Sequence, residues 1–492
     1  MLELTCGLTK MTLMRYRRGT GRYQQSFLSI DDQIRKNNII RLIDEVCEGY
    51  LSSLGDTIFE KGHKDTGRKA YHPSDLLKIL VYGYFNGLSS SRKLERECGR
   101  NLEMQWLTGN LAPDHKTISD FRRDNHLIVS GFFDYLITVF KEKGLVKGKH
   151  IAIDGTKVKA YAGQTVDISH ISEKLEGIEQ QTQKYLEEME QLDKAADEVE
   201  ELTKRKADLE QQIEELNSKK KTLETSKQLL NEHQQEKLSP TDVEARMMRG
   251  RHGKYWAYNI QTAVDIENHL ITKIETTNNQ NDKGLLKPMV KATQQVTGCK
   301  PEQLYADAGY YKISELEELE KEGVTCYVSV NLAGYQPKDK KHGISFQYQP
   351  NSDEYQCSEG RKLKFWRTKT IKQKVTRVYE GVACKGCHKK EVCTRRDQRM
   401  IHRNENQEWI DQYHAKMESE EGKNSQKTRK STVEHPFGTM KYHMGQIPIL
   451  LRGKKSVQTE MNLYAIAYNL KRYQQLLNNS KSQTKTEVHL AA

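Results

Sequence analysis

Two aspartates and a glutamate stand where they could hold metal ions. His150-Ile151-Ala152-Ile153-Asp154-Gly155-Thr156 alternates apolar residues as a buried strand does, and it places a carboxylate where the apolar run ends. Leu304-Tyr305-Ala306-Asp307-Ala308-Gly309-Tyr310 is built the same way. A buried strand-end carboxylate is costly without a cation or donors to meet it, so each Asp is either a ligand or the cap of a following turn. Glu434 lies in Ser431-Thr432-Val433-Glu434-His435-Pro436-Phe437-Gly438, expected as a helix N-capped by Thr432, with Lys441 two turns on and on the same face. Asp154, Asp307 and Glu434 together suit two Mg²⁺ ions, for which Mn²⁺ would substitute, and phosphodiester chemistry. An ordinary helix-surface pattern is the other reading of the Glu434–Lys441 pair.

A second constellation is Cys384-Lys385-Gly386-Cys387 with Cys393 and, upstream, Cys357. The spacing suits one structural Zn²⁺, with His388 as a substitute ligand. Reduced, unliganded thiols are the alternative. The remaining cysteines are scattered, as in a cytoplasmic protein.

The elements that must position these residues follow from periodicity. Strands are expected at 151–154, 255–264, 270–276, 304–307 and 324–330, with helices after Asp282, read as an N-cap, and from Ser314. That order fits an α/β class: a ribonuclease-H-like mixed sheet with helices on both faces. It is preceded by an all-α domain (1–145), and the first part of the core (146–331) is interrupted by a coiled-coil hairpin (171–236) with heptad-spaced Leu175, Ile178, Tyr185 and Met189, then Leu209, Leu216, Leu223 and Leu230. A small β-rich, cysteine-bearing insertion (332–425) precedes C-terminal helices (426–478) and a tail expected to be disordered (479–492).

The 492 residues carry a formal net charge of +12 and a pI near 9.0, which points to a polyanionic partner. Asp114 is the expected cap of a basic helix with Lys116, Arg122 and Arg123 outside, the last of several short helices, as in a helix-turn-helix DNA reader. A small bundle with a basic, solvated face is the alternative. No run is long and apolar enough for a membrane helix, and no membrane association is expected.

The motifs resemble those of bacterial insertion-sequence DDE transposases, in the group with a Tyr–Arg–Glu–Lys signature. Ile153-Asp154-Gly155-Thr156, Tyr305-Ala306-Asp307-Ala308-Gly309-Tyr310 and Val433-Glu434-His435-Pro436-Phe437-Gly438 with Lys441 match the three catalytic blocks, and Pro113 to Arg122 resembles the helical domain ahead of the core. The signature's Arg falls on Lys430 and its Tyr on Lys427, so the phosphate-gripping role is assigned to Lys430 and Arg429. The resemblance implies double-stranded DNA as partner, both as inverted repeats and as target, a homodimer on DNA, and metal-dependent cleavage followed by strand transfer. A nuclease without strand transfer, or a catalytically silent transposase-derived DNA-binding protein, are the rivals.

Overall fold

Strand β1 (His150–Lys159) is the axis of the main sheet. Its Ile151, Ala152 and Ile153 are fully buried. On one side it pairs antiparallel with β5 (Gly253–Asp265), and on the other it runs parallel to β7 (Gln303–Ala306), which pairs with β8 (Thr325–Val328). Strands β4 (Arg246–Gly250) and β6 (Ile271–Thr277) share the outer edge of β5, each along a different part of it. The six-stranded sheet is therefore mixed, with antiparallel pairings among β4, β6, β5 and β1 and parallel pairings from β1 through β7 to β8. The computed structural model describes residues 29–55, 70–163, 165–194, 200–232, 234–250, 253–330, 343–371, 374–440 and 449–490.

Helices cover both faces and make two cores. One packs α9 (Leu286–Thr297), α10 (Ile313–Lys321), α12 (Gln407–Glu418) and α13 (Glu420–Gly438) against Ile151, Ile153, Leu304 and Cys326. The other joins α1 (Ile39–Leu54), α2 (Pro73–Phe85), α5 (His115–Asp124) and α6 (His126–Glu142) to β5, β6 and α14 (Lys454–Leu490). The helices of 1–145, expected as a domain apart, thus share their core with the sheet. The short α3 (Ser91–Arg100) and α4 (Leu102–Thr108) complete that layer. Leu463, Ile466, Ala467 and Leu470 face inward as their spacing indicates. On α14, Asn469 and Gln458 bond the Ile271 and Thr276 amides and the Ile271 and Ile274 carbonyls, so amide side chains close the free edge of β6.

Between β1 and β4 rise two long helices, α7 (Ile168–Lys194) and α8 (Glu200–Glu232), pinned at the base by the β2–β3 pair (Val166–Asp167 and Lys237–Leu238). Ion pairs Glu179–Lys220 and Glu188–Arg205 fix them antiparallel. A separate five-stranded antiparallel sheet, β9 (Phe346–Gln349), β10 (Glu354–Cys357), β11 (Lys362–Ile371), β12 (Lys374–Gly381) and β13 (Met400–Asn404), forms the insertion, with one helical turn, α11 (Lys390–Cys393).

Four local expectations need correction. The strand does not stop at Asp154: the ladder with β5 continues to Lys159. The glutamate helix starts at Glu420, capped by Ser419, whose hydroxyl accepts from Gly422 N at 3.2 Å. Thr432 is interior and bonds the Thr428 carbonyl instead. Asp282 caps nothing, because α9 begins later, at Leu286. The tail continues α14 as far as Leu490.

Candidate active site

Register fixes the first pair. Ile153 lies opposite Ala306 in the parallel ladder, so Asp154 and Asp307, the next residues, end up side by side. Each is steadied by its own turn: Asp154 Oδ1 accepts from Gly155 N at 2.9 Å, and Asp307 Oδ1 from Gly309 N at 2.8 Å. Burial pushes Asp154 up to about 6, the Asp307 charge pushes the same way, and Arg429 pulls it back.

A fourth carboxylate, missed in the sequence, belongs to this group. Asp282 Oδ1 accepts from Asn259 Nδ2 and Gln261 Nε2, both at 2.8 Å. Both amides are buried on β5, and the Tyr310 hydroxyl donates to Gln261 Oε1. The chain Tyr310–Gln261–Asp282 therefore ties the loop after β6 to the turn after β7. The available signal was two amides in a strand buried on both faces, since buried amides require partners.

Two glycines mark how tightly the acids stand. A Cβ on Gly155 would lie 2.6 Å from Gln261 Nε2 and 2.8 Å from Asp282 Oδ1. One on Gly309 would lie 2.9 Å from Asp307 Oδ1 and 3.0 Å from Asp282 Oδ2. Gly309→Ala should then displace two carboxylates, lowering catalytic activity about 10-fold or more at a stability cost of only about 1 kcal/mol, the lower end of overpacking. Steady-state rates and urea midpoints on the same variant test this, and full activity would show that the two acids need not stand so close.

Glu434 lines the same cleft as Asp154 and Asp282, with Thr156, Lys157 and Tyr255, and is exposed. Its helix is held from behind. Pro436 has no N–H for the Thr432 carbonyl, and His269 bonds the Thr432 backbone. Tyr468 of α14 meets His435 Nδ1 at 2.8 Å and donates to the His269 carbonyl at 2.6 Å. One turn earlier, Arg429 is half-buried, its charge acting on Asp154 and its Nε without a hydrogen-bond partner. Lys430 is exposed, about 100° further round the helix. Of the two assigned phosphate grips, Arg429 is the one beside the acids. Lys441 lies outside the described residues.

Among the described residues no Lys or Arg forms an ion pair with Asp154, Asp282, Asp307 or Glu434, and no three His, Cys, Asp or Glu side chains converge as a metal cage. The donor set, all hard carboxylate oxygens, fits a divalent ion such as Mg²⁺. A test without catalysis follows from Asp154. Its folded pKa of about 6 exceeds the ordinary aspartate value, so its contribution to stability is full below about pH 4 and is lost as pH rises through 6. In chelator, Asp154→Asn should raise the melting temperature over the parent at pH 7.5 and raise it less at pH 5. An equal difference at both pH values would contradict the repulsion.

The remaining sites are placed as follows. Asp114 caps α5 as expected, accepting from Thr117 N at 2.9 Å. Lys116 is exposed, and Arg123 is exposed but paired with Asp120 and Asp124. Arg122, read as a DNA contact, is 3% exposed and donates to the Ser89 carbonyl at 2.7 Å and the Tyr84 hydroxyl at 3.2 Å. It is a core residue, because α5 packs that side against α14. Cys357, Cys384, Cys387 and Cys393 line one small cavity of the insertion, unbridged.

Comparison with known families finds two matching segments. Residues 28–124 match the family model of a transposase domain (DUF772), and residues 356–474 match that of a transposase DDE domain. No curated protein and no solved structure matches the chain.

Proposed function

Since the two matched segments make this chain an insertion-sequence DDE transposase, we propose that it binds the terminal inverted repeats of its own element, as a dimer, and cuts and joins DNA with two divalent cations. The observation that carries this reading is the side-by-side placement of Asp154 and Asp307, with Arg429 beside them and Glu434 on the same cleft. Asp154, Asp307 and Glu434 would hold the cations, which lower the cost of forming a nucleophile and of developing charge on the leaving oxygen. Asp282, held by Asn259 and Gln261, stands where a side chain at Gly155 or Gly309 would strike it, and so would position the pair. Arg429, whose charge acts on Asp154, would be the cation that meets a phosphate oxygen. Water would be the first nucleophile and the freed 3′-hydroxyl the second, both displacements at one site. Supercoiled DNA carrying the element's ends tests the reading: end-specific nicks and joined products are expected, and nicks without joined products would favour the nuclease rival.

The cysteine cavity is assigned a structural role. Four thiols around one space fit Zn²⁺ by donor chemistry, although no three stand together as a cage. Purified, reduced protein should carry about one zinc per chain, and Cys384→Ser with Cys387→Ser should remove it. Metal analysis finding none would leave the cysteines as plain thiols and the transposase reading intact.

A further inference from the structure

The positive charge of this chain is not spread over it. Residues 343–404, the five-stranded insertion, hold 15 Lys and Arg against 6 Asp and Glu, an excess of 9 out of the +12 of all 492 residues. Three of those acids, Asp353, Glu354 and Glu359, are engaged by Arg377, Lys362 and Lys389 near β10. On β11 the cations are left open to solvent: Lys364, Arg367 and Lys369 are exposed and none has a carboxylate partner among the described residues.

Backbone geometry presents them. The β11–β12 ladder slips between Phe365 and Arg367, so Trp366 is the extra residue of a bulge. Its ring, 44% exposed, carries the Arg367 guanidinium at 3.9 Å, which restrains a side chain otherwise costly to order. Burial holds the His402 pKa below the usual imidazole value, and the Lys369 and Arg396 charges push the same way. Cations thus outnumber acids on this face, where Glu354 and Glu380 stand opposite Lys364 while Arg367 and Lys369 stand opposite Val378 and Thr376. Such an arrangement costs folding energy unless a polyanion meets it.

We propose that the β11 face of the insertion is a duplex-DNA surface, gripping phosphates through Lys364, Arg367 and Lys369 independently of base sequence. The inference rests on the transposase reading for its partner, and it adds a contact region to the helical segment, where Lys116 is exposed but Arg122 is buried and Arg123 already paired. A phosphate-binding strand on the module between β8 and the Glu434 helix would hold the duplex while the cleft acts on it.

The experiment uses the full chain and a duplex lacking the element's ends, titrated across salt concentrations. Lys364→Ala, Arg367→Ala and Lys369→Ala combined should make the plot of log affinity against log salt shallower by about 2 to 3, near one unit for each phosphate no longer gripped. The charge-matched control Lys219→Ala, Lys221→Ala and Lys227→Ala on α8 should keep the parent slope. Unfolding midpoints close to the parent's would show that both variants are folded. An unchanged slope in the β11 variant overturns the inference, as does equal loss in the control, which would mean that only net charge matters. Tighter binding to anionic vesicles than to duplex overturns it too. If the parent cleaves end-bearing DNA while the β11 variant keeps its slope, the surface is wrong and the transposase reading stands. A parent that binds no duplex removes both.

Discussion

Asp307→Asn should lower DNA cleavage by about 1000-fold or more, since loss of a metal's charge stabilisation is worth several kcal/mol and each 1.36 kcal/mol is tenfold in rate. Asp154→Asn should do the same. An asparagine retains the oxygen that accepts from Gly309 N or Gly155 N, so the local turns survive. What it removes is one negative charge from a cluster in which Asp154 is already pushed up to about 6. Melting temperature without metal should hold or rise, and DNA affinity should remain near the parent's. Ca²⁺ should bind without turnover, because its loose coordination positions a nucleophile badly. Glu434→Gln should be as inactive. A structural aspartate would behave oppositely, with activity falling only as far as stability falls. Rates on end-bearing DNA, measured beside thermal unfolding of each variant, separate the two cases.

Arg122→Ala should cost about 3–5 kcal/mol of stability, the range for removing one partner of a buried charged network. Arg122 binds the loop after α2 through the Ser89 carbonyl and reaches the Tyr84 hydroxyl, which donates to Glu460 Oε1 at 3.2 Å. Glu460 in turn accepts from Leu450 N and Leu451 N at 2.8 and 3.0 Å, and burial raises its pKa. The network ties α2, α5 and the start of α14, so its loss should loosen the N-terminal helices from the sheet. Arg122→Lys keeps the charge but not the fork and should recover part of the loss. Arg123→Ala removes an exposed pair and should change stability by less than about 1 kcal/mol. Urea unfolding of the three variants is the check. A fully stable Arg122→Ala with weakened DNA binding would restore Arg122 as a DNA contact.

Arg122 and Arg123 also show where the sequence stops being informative. Adjacent basic residues on a short helix look alike until it is known which side meets α14, a helix more than 300 positions downstream. The strands were legible because Ile151, Ile153, Tyr258, Ile260 and Leu304 are apolar at strand spacing and are buried. Asp154 and Asp307 stood out because two apolar runs of like build each end in a carboxylate, although a turn cap was an equal reading for either alone, and both do accept from their own turns. Asp282 did not stand out, since an Asp before a helix reads as a cap, and only the fold reveals that Asn259 and Gln261 meet it. The start of α13 was misplaced because Glu420 to Lys430 is almost wholly polar, and its buried positions, Gly422 and Ser425, are small rather than apolar. Lys430 and Arg429 were assigned together, and the helix phase separates them.

The most direct measurement incubates folded parent protein with Mg²⁺ and supercoiled DNA carrying the element's two ends, then maps the 3′ termini and any new junctions. Cuts at the ends, free 3′-hydroxyls and covalent joining to target DNA are expected, all absent with chelator and all absent for Asp154→Asn. Parent protein that binds this DNA yet cuts it with neither Mg²⁺ nor Mn²⁺, or an Asp154→Asn variant that cuts at the parent's rate, would contradict the assignment of the carboxylate site.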